Sequence, residues 1–258
     1  MEPVGAGSVS GGASAGADAV LERVRRYWDW RAESFREDVR AAPNRQAWLD
    51  AYAGAATRLF PGRREPLRVL DVGSGTGFVA IAFAELGHDV TAVEPAPAMI
   101  AIAEREAAAA GVRIDVRTGY ADPLPALRGG FDLVTCRNLL WTLPDPVRAL
   151  AGWRTVLRPG GAVLVADGLW NTPRQELRLL CTGWRPRGAR SIGWRFLTAY
   201  RGLRRSLPYY RGLDQERAQR LLARAGYADP TPLDDLLAPG AYRAGTGDGH
   251  FLTAGRAR

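Results

Sequence analysis

The segment VLDVGSGTGFVA, Val69–Ala80, decides the fold. Its first residues, RVLDV from Arg68 to Val72, form a short apolar run of strand length. Three glycines follow at alternate positions, Gly73, Gly75 and Gly77, and then an apolar stretch of helical character, Phe78–Leu86. A strand that passes through such a turn into a helix leaves backbone N–H groups free at the helix start. Glycine there permits positive φ and close approach of a ligand to the backbone. The spacing is G-x-G-x-G, because position 78 is Phe, so it is not the G-x-G-x-x-G dinucleotide fingerprint. No Lys follows, so it is not a nucleotide-triphosphate loop either.

Downstream, the rhythm alternates. Val90–Val93 predicts a second strand, Ala98–Ala110 a helix closed by Gly111, and Arg113–Arg117 a third strand. Asp132–Thr135, the helix Pro146–Leu157 and Ala162–Ala166 continue the pattern, with Pro159-Gly160-Gly161 as a turn. Such alternation predicts an α/β fold, a doubly wound, mostly parallel sheet of seven strands with helices on both faces. The last strands are expected near Tyr227–Leu233 and at His250–Ala254, after a helix over Asp214–Ala225. Upstream, Val20, Leu21, Val24, Tyr27 and Trp28 recur at helical spacing, and Trp48, Leu49 and Tyr52 mark a second helix. The expected organisation is a disordered Gly/Ser/Ala tail over 1–17, a helical cover over 18–62, a core over 63–169, an insertion over 170–212 and a closing helix and strands over 213–258.

Composition removes several chemistries. The 258 residues carry 35 basic side chains, every one of them Arg, so Schiff-base and other lysine chemistry is excluded. Cys136 and Cys181 are too few for a disulfide framework or a four-cysteine metal site. No HxxxH, CxxC or paired-carboxylate spacing points to a metal. No apolar run reaches the roughly 18 residues of a membrane span. With no secretory-type leader in the sequence, the expected setting is the cytoplasm.

The second strand ends in Val93-Glu94-Pro95. In a doubly wound sheet that tip lies beside the glycine turn, where a carboxylate can accept both hydroxyl hydrogens of a ribose. Taken in order, VLDVGSGTG, VEPAPAMI, FDLVTCRNLLWTLPDP, LRPGG and AVLVADG resemble class I S-adenosylmethionine-dependent methyltransferases. The likeness is to the small-molecule branch of ubiquinone, menaquinone and natural-product enzymes, over about residues 25–170. That resemblance implies S-adenosyl-L-methionine as cofactor and S-adenosyl-L-homocysteine as product. It implies Gly73, Ser74, Gly75 and Gly77 against the methionine part, Asp71 organising the loop, Glu94 on the ribose beside Pro95, and Met99 on the adenine. Ala121 and Asp122 would face the adenine edge, although Tyr120 stands where relatives often carry Asp and is an alternative stacking partner. Cys136 and Arg137 would line the amino-acid end, largely through backbone. In YWDWRAESF, Tyr27 and Arg31 are candidates for a closing helix, with plain core packing of the aromatics as the competing reading.

Of two histidines, His88 lies in a turn at the sheet end opposite the crevice and reads as structural. His250, at the start of the last strand, is the candidate general base. Asn138, Trp141 and Trp170 follow the fourth and fifth strands and are candidates for the substrate pocket. Between Arg178 and Arg224 stand twelve Arg against two acids, with aromatics interleaved. This stretch reads as a wet amphipathic cover in which Arg201, Arg204 and Arg205 face out, as a binder of an acidic small molecule or acidic carrier protein, or, last, as a nucleic-acid grip. The expected activity is methyl transfer to O, N or C of a small aromatic or acidic metabolite. An RNA methyltransferase and a cofactor-binding protein of other activity, such as a cyclase, are the alternatives.

Overall fold

A computed structural model describes residues 10–40, 45–171, 173, 189–238 and 248–257. Seven strands form one sheet: β1 Arg68–Val72, β2 Asp89–Glu94, β3 Asp115–Thr118, β4 Phe131–Arg137, β5 Leu157–Leu169, β6 Ala228–Pro232 and β7 Asp248–Arg256. Their spatial order is β3-β2-β1-β4-β5-β7-β6. The pairs among β1 to β5 are parallel, and β7 runs antiparallel to both β5 and β6. Parallel strands are covered on both faces, which is why β4 is buried from Phe131 to Cys136 and β1 from Val69 to Val72.

The helices are α1 Ser10–Arg40, α2 Arg45–Leu59, α3 Phe78–Glu85, α4 Pro97–Ala109, α5 Pro146–Arg154, α6 Ala189–Tyr200 and α7 Gln215–Arg224. Sequence signals set several of their starts. Asp145 caps α5 by accepting from Arg148 N at 3.0 Å, with Pro146 at the first helical position. Asp214 caps α7 through Arg217 N at 2.8 Å. One core layer, including Trp48, Tyr52, Val79 and Phe83, lies between the sheet and α2 and α3. The opposite layer, including Leu150, Trp153, Leu221 and Leu222, lies under α5 and α7. Apolar burial on both faces is the main driving force for this arrangement.

Three local expectations change. Helix α1 begins at Ser10 rather than Asp18, so residues 10–17 are helical and not a disordered tail. Residues 1–9 lie outside the described residues. Strand β5 runs through Pro159-Gly160-Gly161, where a turn was expected. It pairs with β4 at Leu157 and again from Ala162, and the register shifts between those points. Helix α5 stops at Arg154, three residues short of the expected end.

In the insertion, α6 packs on α1 through Phe196 and Tyr200, whose rings meet Tyr27 at 5.6 and 5.3 Å between centroids. Arg201, Arg204 and Arg205 are exposed and Leu203 is buried, as a wet outer face requires, but a left-handed Gly202 separates Leu203, Arg204 and Arg205 from Arg201 and α6. Cys181 and Trp184 lie outside the described residues, as does the side chain of Trp194.

Candidate active site

β1 has β2 on one side and β4 on the other, and the chain reaches β4 only after β2 and β3. Ligands of open α/β sheets lie beyond the carboxyl ends of the strands at such a switch point. A cavity opens there. The glycine loop (Gly73, Ser74, Gly75, Thr76) forms its floor, with Asp71, Phe78 and Val79 beside it. Glu94, Pro95, Met99, Tyr120 and Ala121 line the β2 side, and Arg137–Leu139, Trp141–Leu143 and Trp170 line the β4–β5 side. Helix α1 roofs the cavity with Leu21, Val24, Arg25, Trp28, Phe35 and Val39.

The loop and the acid meet. Gly75 N donates to Glu94 Oε2 at 3.0 Å, and Ala96 N donates to Oε1 at 2.9 Å. Glu94 is buried, and that burial raises its carboxyl to about 7 against an ordinary 4.5. Asp71 is also buried and raised to about 7 by desolvation. Its Oδ1 accepts from Thr135 Oγ1 at 2.9 Å and its Oδ2 from Ala80 N at 3.1 Å. Asp71 therefore joins β4 to the first turn of α3 and fixes the loop between them. Gly73 has φ +67, which favours glycine, and a Cβ on it would also come 2.7 Å from the Leu139 side chain, which would have to shift.

Other expected site residues fall elsewhere. Gly77 does not line the cavity. It lets α3 approach α4, since a Cβ there would meet that of Ala103 at 3.1 Å. Asp122 turns outward to an ion pair with Arg148 at 2.7 Å, and its neighbour Tyr120 lines the cavity instead. Cys136 points into the α5 core, away from the cavity, because side chains alternate along β4. Tyr27 packs in the aromatic cluster with Trp141 and Tyr200, and Arg31 is held by Ser34 and Asp38, so neither lines the cavity and core packing describes Tyr27. His250 is also outside the lining; its ring meets Trp170 edge-on at 5.3 Å, and this position does not support a general-base role. His88 accepts from Leu67 N at 3.2 Å at the far end of the sheet.

The sequence reading missed the depth of the α1 contribution. Trp28 and Phe35 stack edge-to-face at 5.3 Å over the loop, and Asp29 caps α4 by accepting from Ala98 N at 2.8 Å. The aromatic spacing was visible, but which ring faced the cavity depended on where α1 docks. Glu22 was missed too: it accepts from Tyr120 Oη at 2.9 Å and pairs with Arg25.

An adenosyl amino acid fits the donor set. Glu94 offers acceptors for ribose hydroxyls, Met99 and Tyr120 offer faces for a base, and Ser74 Oγ and Asn138 Oδ1 are buried without hydrogen-bond partners among the described residues. Residues 69–161 match the family described as methyltransferase domain. Over this stretch the chain resembles S-adenosylmethionine-dependent methyltransferases.

The chain is 37% identical over 152 residues to a ubiquinone biosynthesis O-methyltransferase of Xanthomonas axonopodis pv. citri, covering 58% of this chain and 59% of that protein. A protein of the same name from Pseudomonas aeruginosa is 32% identical over 144 residues, covering 55% of this chain and 58% of its own length. The matched region thus spans less than two thirds of these relatives. A crystal structure of a SAM-dependent methyltransferase from Aquifex aeolicus superposes with a TM-score of 0.55 at 16% identity, covering 84% of this chain and 94% of that one, a likeness of fold. Among the described residues no helix is long and apolar enough to cross a membrane, and no cluster of metal-ligating side chains is present.

Because Asp122 and His88 stand outside the cavity, Asp122→Ala and His88→Ala should each leave the calorimetric Kd for S-adenosylhomocysteine within about twofold of wild type. A tenfold loss in either would return that side chain to the ligand site.

Proposed function

We propose that this chain transfers a methyl group from S-adenosyl-L-methionine to an O, N or C atom of a small aromatic or acidic acceptor in natural-product metabolism. Oxygen is favoured by the names of the sequence relatives. The observation that carries the reading is the closure of the glycine loop onto Glu94 inside one cavity. When bound, the cofactor supplies a methyl already activated by its sulfonium. Glu94 would hold the ribose, Met99, Tyr120 and Ala121 the base, and Gly73, Ser74, Gly75, Arg137 and Asn138 the amino-acid end.

The chain's remaining task is to place a nucleophile in line and to exclude water. Trp28, Phe35, Trp141 and Trp170 wall the cavity with apolar surface suited to a flat acceptor. No histidine lines it among the described residues, and its two carboxylates already serve backbone or hydroxyl donors. Alignment rather than acid–base chemistry therefore supports the rate, and effective molarities of roughly 10⁵–10⁸ M make that sufficient.

Calorimetry with S-adenosylhomocysteine tests the reading directly: saturable one-to-one binding is expected, and its absence would end it. Turnover of a panel of hydroxybenzoates and aminobenzoates then separates methyl transfer from a cofactor-dependent cyclase, which would yield no methylated product. For the exposed arginines of the insertion, an acidic carrier protein presenting the acceptor is a further proposed partner. A steep salt dependence of RNA binding would favour the nucleic-acid alternative instead.

A further inference from the structure

The carboxylate of Asp167 does not line the cavity, yet it is the most completely enclosed acid near it, with no exposed surface. It directly follows the apolar run Ala162–Ala166 near the carboxyl end of β5, where a charged group is costly unless donors surround it. Three donors do. Gly168 N and the Trp170 indole Nε1 both donate to Oδ1, at 2.9 and 2.8 Å, and Leu140 N donates to Oδ2 at 3.2 Å. Trp170 and the turn at Leu140–Thr142 come from different strand ends, β5 and β4. Both supply walls to the half of the cavity away from Glu94. The rings of Trp170 and Trp141, the next residue in that turn, stand 6.5 Å apart between centroids. His250 braces the other edge of Trp170, and it can do so only because residue 168 is glycine: a Cβ there would lie 2.4 Å from the imidazole.

We propose that Asp167 is the positioning residue of the acceptor half of the site: by binding the Trp170 indole and the Leu140 amide together, it sets the two tryptophan walls against which the acceptor is aligned. A purely apolar residue would fill the same space without fixing either wall. The proposal rests on reading the cavity as a cofactor-plus-acceptor site, and wild-type binding of S-adenosylhomocysteine tests that reading separately.

The test uses ¹⁵N-labelled full-length protein and Asp167→Asn. The amide keeps one acceptor oxygen but turns a donor toward one of the three N–H groups. The Trp170 indole resonance, assigned by its disappearance in Trp170→Phe, should move upfield, and the Leu140 amide should exchange at least tenfold faster. The Kd for S-adenosylhomocysteine should stay within about twofold. In turnover of the hydroxybenzoate panel, the acceptor KM should rise about tenfold, with a smaller change in kcat. Trp170→Phe keeps a ring but removes the indole N–H, so it should reproduce the KM change even if the Asp167 variant fails to fold. An unmoved indole resonance, or loss of S-adenosylhomocysteine affinity in parallel with acceptor KM, would overturn the proposal and leave Asp167 a general structural group.

Discussion

Replacing Glu94 with Ala should weaken S-adenosylhomocysteine binding by about 100-fold or more. A hydrogen bond to a charged group is worth roughly 1.5–3 kcal/mol, and two ribose hydroxyls would be lost together, while 1.4 kcal/mol is tenfold in Kd. The same substitution removes the acceptors of Gly75 N and Ala96 N, so the loop also loses its anchor. A pH series sharpens the result. Burial keeps the Glu94 carboxyl at about 7, so it takes up a proton as pH falls through neutrality and accepts ribose hydroxyls less well. Affinity should therefore fall from pH 8 to pH 6, and Glu94→Gln, which cannot titrate, should bind weakly with a flatter profile. For ligand-free stability the sign is opposite. The folded protein holds this proton up to about 7 whereas an unfolded carboxyl releases it near 4.5, so the Glu94 contribution is fully favourable below that lower value and declines as pH rises across the window. Calorimetry across pH checks the first statement and thermal melts check the second. Undiminished binding by Glu94→Ala would remove the central residue of the proposed site.

Trp153→Ala should produce the largest loss of stability. Trp153 is fully buried on α5, packed in the core layer beneath α7, and its indole donates to Ala121 O at 2.8 Å. Truncating a buried Trp costs about 3–5 kcal/mol through lost burial and the cavity left behind. For a chain of this size that corresponds to a fall in Tm of roughly 6–20 °C. Ala121 lines the β2 side of the cavity, so the substitution should also loosen the wall expected to face the base. Trp153→Phe keeps most of the apolar contact but strands the Ala121 carbonyl, at about 1–3 kcal/mol. Circular-dichroism melts should rank wild type above the Phe variant and the Phe variant above the Ala variant. Equal Tm values for all three would show that the layer repacks around the loss.

The sequence by itself determined the strand and helix order, the place of the glycine loop and the pairing of that loop with Glu94. These rest on local signals: an apolar run of strand length, a turn only glycine tolerates, and an acid at a strand tip whose location follows from the handedness of parallel crossovers. Asp214 likewise marked the start of its expected helix, because a cap bonds within its own turn.

Only the tertiary structure decided which neighbouring side chain faces the cavity. Asp122 and Tyr120 are two residues apart, yet one pairs with Arg148 and the other lines the cavity, because Arg148 comes from α5, distant in sequence. Tyr27 and Trp28 are adjacent on α1, and docking of α6 against that helix takes Tyr27 into the core while Trp28 roofs the site. Asp167 follows the expected strand Ala162–Ala166 and gains its role only where N–H groups from two segments, the end of β5 and the turn after β4, converge on it. Such roles depend on the rotation of one packed element against another, and that rotation is set by the sum of many long-range contacts rather than by any local pattern.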